Sequence, residues 1–163
     1  MTRFRRFPRW AIVAAVAVLL CGGLLLAFRL SPQRQARQLG EEFLRRIFTA
    51  TPQDREDPNW YTEEGITSRY GELVTPSLMD QGVANRYFAY FSTRAAEENT
   101  LYQPREVELT LSQEEPGRLT YLFSVQGEAL PQDGGDPLAF QATGVLVLVE
   151  EDGRWLADYL RIN

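Results

Sequence analysis

The sequence predicts an α+β fold with one N-terminal transmembrane helix, followed by a roll of about three helices packed on a four-stranded antiparallel sheet. Three observations predict it. Residues 10–28 are apolar and uncharged, apolar residues then recur at helical spacing, and a two-residue alternation takes over after Pro104. We therefore divide the chain into a basic stub at residues 1–9, a transmembrane helix at 10–30 and an α+β domain at 31–163.

The apolar run predicts a membrane span. Its 19 residues carry no charge, and a helix of that length covers about 28 Å, close to the hydrocarbon thickness of a bilayer. Four arginines precede it within residues 1–9, and positively charged flanks stay on the cytoplasmic side. We expect a single-pass signal anchor in the cell membrane, with lipid contacts along residues 10–30, a cytoplasmic N-terminus and the C-terminal domain outside.

Two alternatives to an uncleaved anchor stay open. A cleaved signal peptide has a shorter apolar region and a small-residue cleavage site, whereas this run continues through the leucines at 24–26. A lipoprotein signal places a small residue before the lipidated cysteine, whereas Leu20 precedes Cys21. Both patterns fit the sequence less well than an anchor that is retained.

The composition excludes several kinds of catalytic and metal site. All 17 basic residues are Arg, there is no His, and the single Cys is Cys21. Without His there is no Ser-His or Cys-His nucleophile pair and no His-ligated metal, and without Lys there is no Schiff base. One Cys forms no intrachain disulfide and leaves a thiolate zinc site short of ligands. We therefore expect no enzymatic activity, no cofactor, and neither a catalytic nor a metal site.

The domain at residues 31–163 is strongly acidic. It holds 12 Arg and 22 Asp or Glu, a net charge of −10, against −5 for the whole chain. Such a surface repels a phosphate backbone, so we expect no nucleic-acid partner. Acidic doublets such as Glu41 and Glu42 lack the spacing of a calcium loop and indicate a solvated surface.

Helices come first in this domain. Ser31 followed by Pro32 supplies an N-cap and a first-turn proline, and helical spacing then continues to about Ala50. Arginines such as Arg45 and Arg46 lie off its apolar stripe. Asn59 is the candidate cap of a second helix, Thr75 and Pro76 open a third helical stretch, and Gly82 is the expected break within it.

Four strands follow. Residues 107–111 and 119–125 alternate between apolar and polar side chains, which predicts two half-exposed strands. Residues 140–149 are apolar on both faces at their centre, which predicts a central, covered strand. Asp152 followed by Gly153 predicts a tight turn into the last strand, at residues 155–162.

This element order and the stretch GRWLADY at residues 153–159 resemble the nuclear-transport-factor-two-like superfamily, a cone-shaped α+β roll. Cystatin-like folds are the close alternative. The resemblance covers roughly residues 32–163. With one N-terminal span, the architecture is similar to that of membrane-anchored scaffold subunits of bacterial secretion channels, which implies a bacterial envelope protein. Catalytic members of the superfamily often use a carboxylate, a His or a Tyr inside the cone.

The residues that would line a pocket in such a roll are Asp158, Tyr121, Tyr87, Phe91 and Trp60. Strict alternation places Asp158 on the apolar face of the last strand, where burial would raise the pKa of its carboxyl and make it a base. The other interpretation is that Asp158 is paired with an Arg and is structural. Buried tyrosines such as Tyr121 and Tyr70 would donate hydrogen bonds into a pocket or pack in the core, and Tyr87 and Phe91 have the spacing of core residues.

Two functional hypotheses follow. The first is a non-catalytic binding or scaffold module in a cell-envelope complex, which self-associates or holds a protein partner. The alternative is a small-molecule-binding or catalytic roll with a pocket carboxylate. The alternative requires a concave pocket that reaches Asp158, and an interior filled with side chains would argue against it.

Overall fold

A computed structural model describes residues 32–163. The basic stub, the predicted transmembrane helix and Cys21 lie outside the described residues, so the anchor stays a prediction. Between residues 32 and 163, no helix is both long enough and apolar enough to cross a membrane. Residues Ala36–Asn163 form one compact unit.

Within the described part of the chain, four α-helices and two short 3-10 helices precede four strands, so the predicted α+β order is confirmed. The sequence predicted about three helices, and the third stretch proves to be two α-helices joined by a 3-10 helix. The α-helices are α1 (Pro32–Phe48), α2 (Glu63–Tyr70), α3 (Pro76–Ala84) and α4 (Tyr90–Glu97), and the 3-10 helices are Pro52–Glu56 and Tyr87–Ala89.

The helix starts were predicted with mixed success. Thr75 caps α3 as expected, because its Oγ1 accepts a hydrogen bond from the backbone N–H of Leu78 at 3.2 Å, with Pro76 in the first turn. The prediction for Asn59 is wrong, since the cap of α2 is Thr62. A candidate cap therefore locates a helix start to within a few residues.

The break in the third helical stretch is not at Gly82. α3 continues to Ala84, and the chain turns at Arg86, which has a left-handed φ of 57°. Gly82 has a packing role instead: a Cβ there would lie 2.0 Å from Cε2 of Phe88. The glycine is needed because the Phe88 ring lies directly against the helix backbone.

The strands form one antiparallel sheet in the order β1-β2-β3-β4, as the predicted meander requires. β1 begins at Thr100, ahead of the predicted start after Pro104, and its register shifts between Pro104 and Glu106. A shift at this point accommodates a proline, which has no N–H to donate to the ladder. The bounds are β1 (Thr100–Glu115), β2 (Arg118–Pro131), β3 (Leu138–Glu151) and β4 (Arg154–Ile162).

Helix α1 packs directly on one face of the sheet. At Gly40 an added Cβ would lie 3.0 Å from Cδ1 of Leu109 and 3.1 Å from Cδ2 of Leu146. A larger residue would push the helix away from β1 and β3. On β3, Leu146 and Leu148 are fully buried, while Val147 on the opposite face is 7% exposed. The prediction of a central strand is confirmed.

Aromatic rings fill much of the interior of the roll. Phe48 lies 4.7 Å from Phe91 between ring centroids, and Phe91 lies 5.7 Å from Tyr102. Phe140 completes this group, at 5.6 Å from Tyr102. Such ring pairs add about 0.5–1.5 kcal/mol each beyond the burial of their area. The space that an internal pocket would occupy at this end of the sheet is therefore a packed core.

Candidate functional site

Asp158 lies at an irregularity in the sheet. The β3–β4 register shifts between Val147 and Leu148, which pair with Tyr159 and Ala157 and leave Asp158 as the extra residue. A bulge of this kind resets the alternation of side chains along a strand. The predicted strict alternation is therefore wrong: Leu156 pairs with Val149 and Leu160 pairs with Leu146, which lie on opposite faces of β3, so these two leucines do not share a face. The residues of β4 in the core are Trp155, Ala157 and Leu160.

Both carboxylate oxygens of Asp158 accept hydrogen bonds from the fold itself. Oδ1 accepts from Oγ1 of Thr75 at 3.1 Å, and Oδ2 accepts from Nη1 of Arg118 at 3.2 Å. The backbone N–H of Thr75 also donates to the carbonyl of Ala157, at 2.8 Å. Asp158 therefore ties the start of α3 to β2 and β4. This contact set supports the structural interpretation of Asp158 over that of a general base.

The structure does not bring the predicted pocket residues together. Phe91 and Tyr121 are core residues, 7% and 3% exposed, and burial raises the pKa of Tyr121. Tyr87 is 39% exposed, so its expected core position is wrong. It lines an open groove of about 750 Å³ beside Tyr90. The left-handed residue before Tyr87 breaks the helical spacing on which the prediction rested.

Trp60 lines a different cavity, of about 510 Å³, where the end of α1, the first 3-10 helix and α2 meet. Three arginines contribute to its wall, and we call it the arginine cavity. Tyr70, a predicted donor into a pocket, also lines it, whereas the other pocket candidates, Asp158, Tyr121, Tyr87 and Phe91, do not. Its wall includes the side chains of Arg45, Arg46, Arg69, Trp60, Tyr70 and Asp54.

Arg69 is held against Trp60. Its guanidinium carbon lies 3.8 Å from the centroid of the Trp60 ring, and its Nη2 donates to the Trp60 carbonyl. Arg46 in turn donates from Nη1 to the Arg69 carbonyl at 2.7 Å, and from Nη2 to Glu42 at 2.5 Å. These bonds fix the position of two of the three positive charges.

One polar atom of this wall is unsatisfied. The Nε of Arg69 is buried and has no hydrogen-bond partner within residues 32–163. A buried N–H left in this state costs about 1–3 kcal/mol, so native structures contain few of them.

Tyr70 and Asp54 complete the electrostatics of the cavity. Burial raises the pKa of Tyr70 to about 12, although the positive charges of Arg69 and Arg46 act in the opposite direction. The Tyr70 hydroxyl therefore stays protonated at neutral pH. The Asp54 carboxylate is already engaged, because it accepts from the N–H and the hydroxyl of Thr51 at 2.8 and 2.7 Å.

Reasoning from the sequence did not find this cavity. Arg45 and Arg46 were identified only as charges off the apolar stripe of α1, and Arg69 was not singled out. The available signal was the pair Arg45 and Arg46 in the last turn of a helix. Their approach to Arg69 depends on the path of the intervening loop, which local patterns do not specify.

The described residues contain no cluster suited to a metal ion. Between residues 32 and 163, no three Asp, Glu, His or Cys side chains come together in such a group.

A further cavity of about 520 Å³ lies between Arg55, Tyr61 and Arg86, with Glu97 on its wall. It carries both signs of charge and so favours no single class of ligand.

Comparisons with known proteins give little further information. No protein-family model matches the chain, and no curated protein matches it. Among solved structures, the chain is similar to a designed protein of the NTF2 fold, Rd1NTF2_05 with five substitutions, at 12% identity. The match covers 78% of this chain and 99% of that chain, with a TM-score of 0.36. The α+β assignment rests on the helices and strands themselves.

Proposed function

We propose that this chain is a membrane-anchored scaffold module of a bacterial cell envelope, built on a roll of the nuclear-transport-factor-two-like type. Residues 10–30 hold it in the lipid and residues 31–163 lie outside the cytoplasm. The module is non-catalytic and its protein partner is a second copy of the same chain. The observation that carries this proposal is the outward face of the sheet, which is apolar at its centre and oppositely charged at its two edges.

The centre of this outer face is apolar, with Leu122 and Tyr159 exposed beside the half-buried Val145 and the buried Val147. Thr110, Leu122, Val145 and Arg161 pair in one row across β1 to β4. Leu122 in that row is 51% exposed, and Tyr159 in the next row is 39% exposed. Large apolar side chains grouped on a sheet face are typical of a protein interaction site. We define the outer face by Glu106, Glu108, Thr110, Thr120, Leu122, Val145, Val147, Tyr159 and Arg161.

The charges at the edges of the outer face complement one another. Glu106 and Glu108 are exposed on β1 at one edge, and Arg161 is exposed on β4 at the other. Among the residues that the structure describes, none of these three has an ion-pair partner. An acidic edge and a basic edge on one surface allow that surface to match itself.

A two-fold axis parallel to the strands brings the two edges together. It places β1 of one copy over β4 of the other, with the sheets roughly 10 Å apart. Leu122 then faces Val145 of the second copy. Thr110 of one copy then lies opposite Arg161 of the other, because both residues belong to the same row. Glu108 is two residues from Thr110 along β1, a displacement of roughly 7 Å that the Arg161 side chain can span. Glu108 of each copy therefore meets Arg161 of the other, on either side of an apolar centre.

Charge reversal tests the interface. We expect Glu108→Arg and Arg161→Glu each to weaken self-association of the detergent-solubilised full chain, because each places like charges together. The double variant should restore it. Asp80→Arg, an exposed site on α3, is the matched control and should leave self-association unchanged. Sedimentation equilibrium measures the dimer constant. A monomeric wild-type chain, or a double variant weaker than either single one, would contradict the proposal.

The anchor is tested separately. We expect the full chain to resist alkaline extraction from membranes and to require detergent. Protease added to spheroplasts should digest residues 31–163 and spare the N-terminal stub. Recovery of the intact domain after this treatment would reverse the proposed orientation. Neither result depends on self-association.

A further inference from the structure

We infer that the arginine cavity is a binding site for a small oxyanion, a carboxylate or phosphate group carried on a compact organic body. The inference is independent of the proposed self-association, because the cavity and the outer face share no residue. It rests on the three arginines of the wall, on the Tyr70 hydroxyl, and on the size and walls of the cavity.

Positive charge is concentrated in this cavity against the trend of the domain. Residues 31–163 have 12 Arg against 22 acidic residues, yet Arg45, Arg46 and Arg69 line one cavity whose single acidic wall residue is Asp54. Two acids offset part of this charge, namely Asp54 and Glu42, which pairs with Arg46 at 2.5 Å, and they leave Arg45 and Arg69 without an ion pair in the described range. The carbonyl end of α1 lies nearby, but a helix terminus contributes only about half a negative charge. The cavity therefore favours an anion.

The donors needed to bind an oxyanion are present. The Tyr70 hydroxyl makes no hydrogen bond within residues 32–163. Arg45 is exposed and has no ion pair in the described range. Arginine matches the oxygens of carboxylates and phosphates, often with two parallel hydrogen bonds. The bonds that fix Arg69 and Arg46 reduce the conformational entropy that binding would remove.

The dimensions select a small ligand. A volume of about 510 Å³ lies within the usual range of roughly 300–1,000 Å³ for small-molecule sites. The half-buried Trp60 provides an aromatic wall that suits an apolar or planar body beside the charged group, whereas the Tyr70 ring is stacked on Phe88 in the core. Free inorganic phosphate would use only the charged part of the site, so an organic phosphate or carboxylate should bind more tightly.

The same oxyanion could belong to a soluble metabolite or to a lipid headgroup near the membrane. Two probes distinguish these sources: phenyl phosphate, and a soluble short-chain phosphatidylglycerol. Both are titrated into the detergent-solubilised full chain by calorimetry. Tighter binding of phenyl phosphate assigns the site to a soluble ligand, and tighter binding of the lipid assigns it to a headgroup. Either result supports an oxyanion site.

Three variants locate the binding. Arg45→Gln removes an exposed cation that holds no other element in place, and we expect affinity to fall on the order of tenfold. Tyr70→Phe removes one donor and should weaken binding by roughly two- to tenfold. Arg154→Gln, exposed at the turn between β3 and β4, carries the same charge change and should leave affinity unchanged.

Two outcomes would overturn the inference. One is the absence of measurable binding of either probe at millimolar concentration to a chain whose circular dichroism shows it folded. The other is an equal loss of affinity in Arg45→Gln and Arg154→Gln, which would show that net charge alone attracts the anion. The dimer constant of Arg45→Gln, measured in parallel, should match wild type, so a failure here is separate from a failure of the proposed interface.

Discussion

Replacing Asp158 by Ala should destabilise the domain through Thr75. The Thr75 side chain is buried, with 2% of its surface exposed, and its hydroxyl donates to Asp158 at 3.1 Å. The same Oγ1 accepts from the N–H of Leu78 at 3.2 Å and so caps α3. Without Asp158 the hydroxyl has no acceptor in this contact set, and the helix start is no longer tied to β4.

The two hydrogen bonds of Asp158 differ in their contribution to the stability of the fold. A buried hydroxyl that loses its acceptor costs about 1–3 kcal/mol. The ion pair with Arg118 is more exposed, with 45% and 26% of the two side chains accessible, and such pairs contribute about 0.2–1 kcal/mol. We therefore expect Asp158→Ala to lower the free energy of unfolding by about 2–3 kcal/mol. Arg118→Gln should lower it by less than about 1 kcal/mol.

Asp158→Asn distinguishes the hydrogen bond from the charge. It retains an acceptor for Thr75 and loses only the ionic part of the pair, so the expected loss is about 1 kcal/mol or less. Urea unfolding of residues 31–163, followed by tryptophan fluorescence, gives all three values. A loss in Arg118→Gln that equals or exceeds the loss in Asp158→Ala would refute the reasoning, since the exposed pair would then dominate. So would an Asn variant as unstable as the Ala variant.

Two further predictions concern packing and alkaline pH. Gly144→Ala would place a Cβ 2.0 Å from the carbonyl oxygen of Arg161, so β4 must move. We expect the free energy of unfolding, measured with urea, to fall by about 3 kcal/mol. An unchanged urea midpoint would contradict this. Because the pKa of Tyr70 is raised to about 12 in the folded state from 10.0, its contribution to stability is full below pH 10 and is lost as pH rises towards 12. That loss amounts to about 2–3 kcal/mol. It should be absent from Tyr70→Phe, and equal pH dependence in both proteins would show that Tyr70 is not responsible.

The elements of the domain were largely predictable because their signals are local. Thr75 followed by Pro76 is a helix start whatever surrounds it, since a side-chain oxygen and a fixed φ act within one turn. The alternation across β2 likewise identifies its buried face, with Leu119, Tyr121 and Phe123 in the core. Where two candidate N-caps lie close together in the sequence, as Asn59 and Thr62 do, the predicted helix start differs from the observed one by a few residues.

The candidate sites depended on long-range geometry. Asp158 was expected on the apolar face because alternation is exact in a regular strand, but one bulge opposite Val147 and Leu148 removes that relation. Arg69 approaches Arg46 only because the chain between α1 and α2 folds back on itself. Such distances depend on side chains far apart in sequence, and no spacing rule carries that information.

The sequence by itself determined the kinds of element, their order, the acidic character of the domain and the absence of histidine and lysine chemistry. The elements and their order follow from residue periodicity and helix capping, which act over a few residues. The charge and the missing residue types follow from composition, which does not depend on position. Only the tertiary structure decided which polar groups meet: the carboxylate that joins Thr75 to Arg118, and the three arginines around Trp60. The physical reason is that hydrogen bonds and charge pairs act over a few ångströms, whereas the residues that form them lie up to 83 positions apart in the chain.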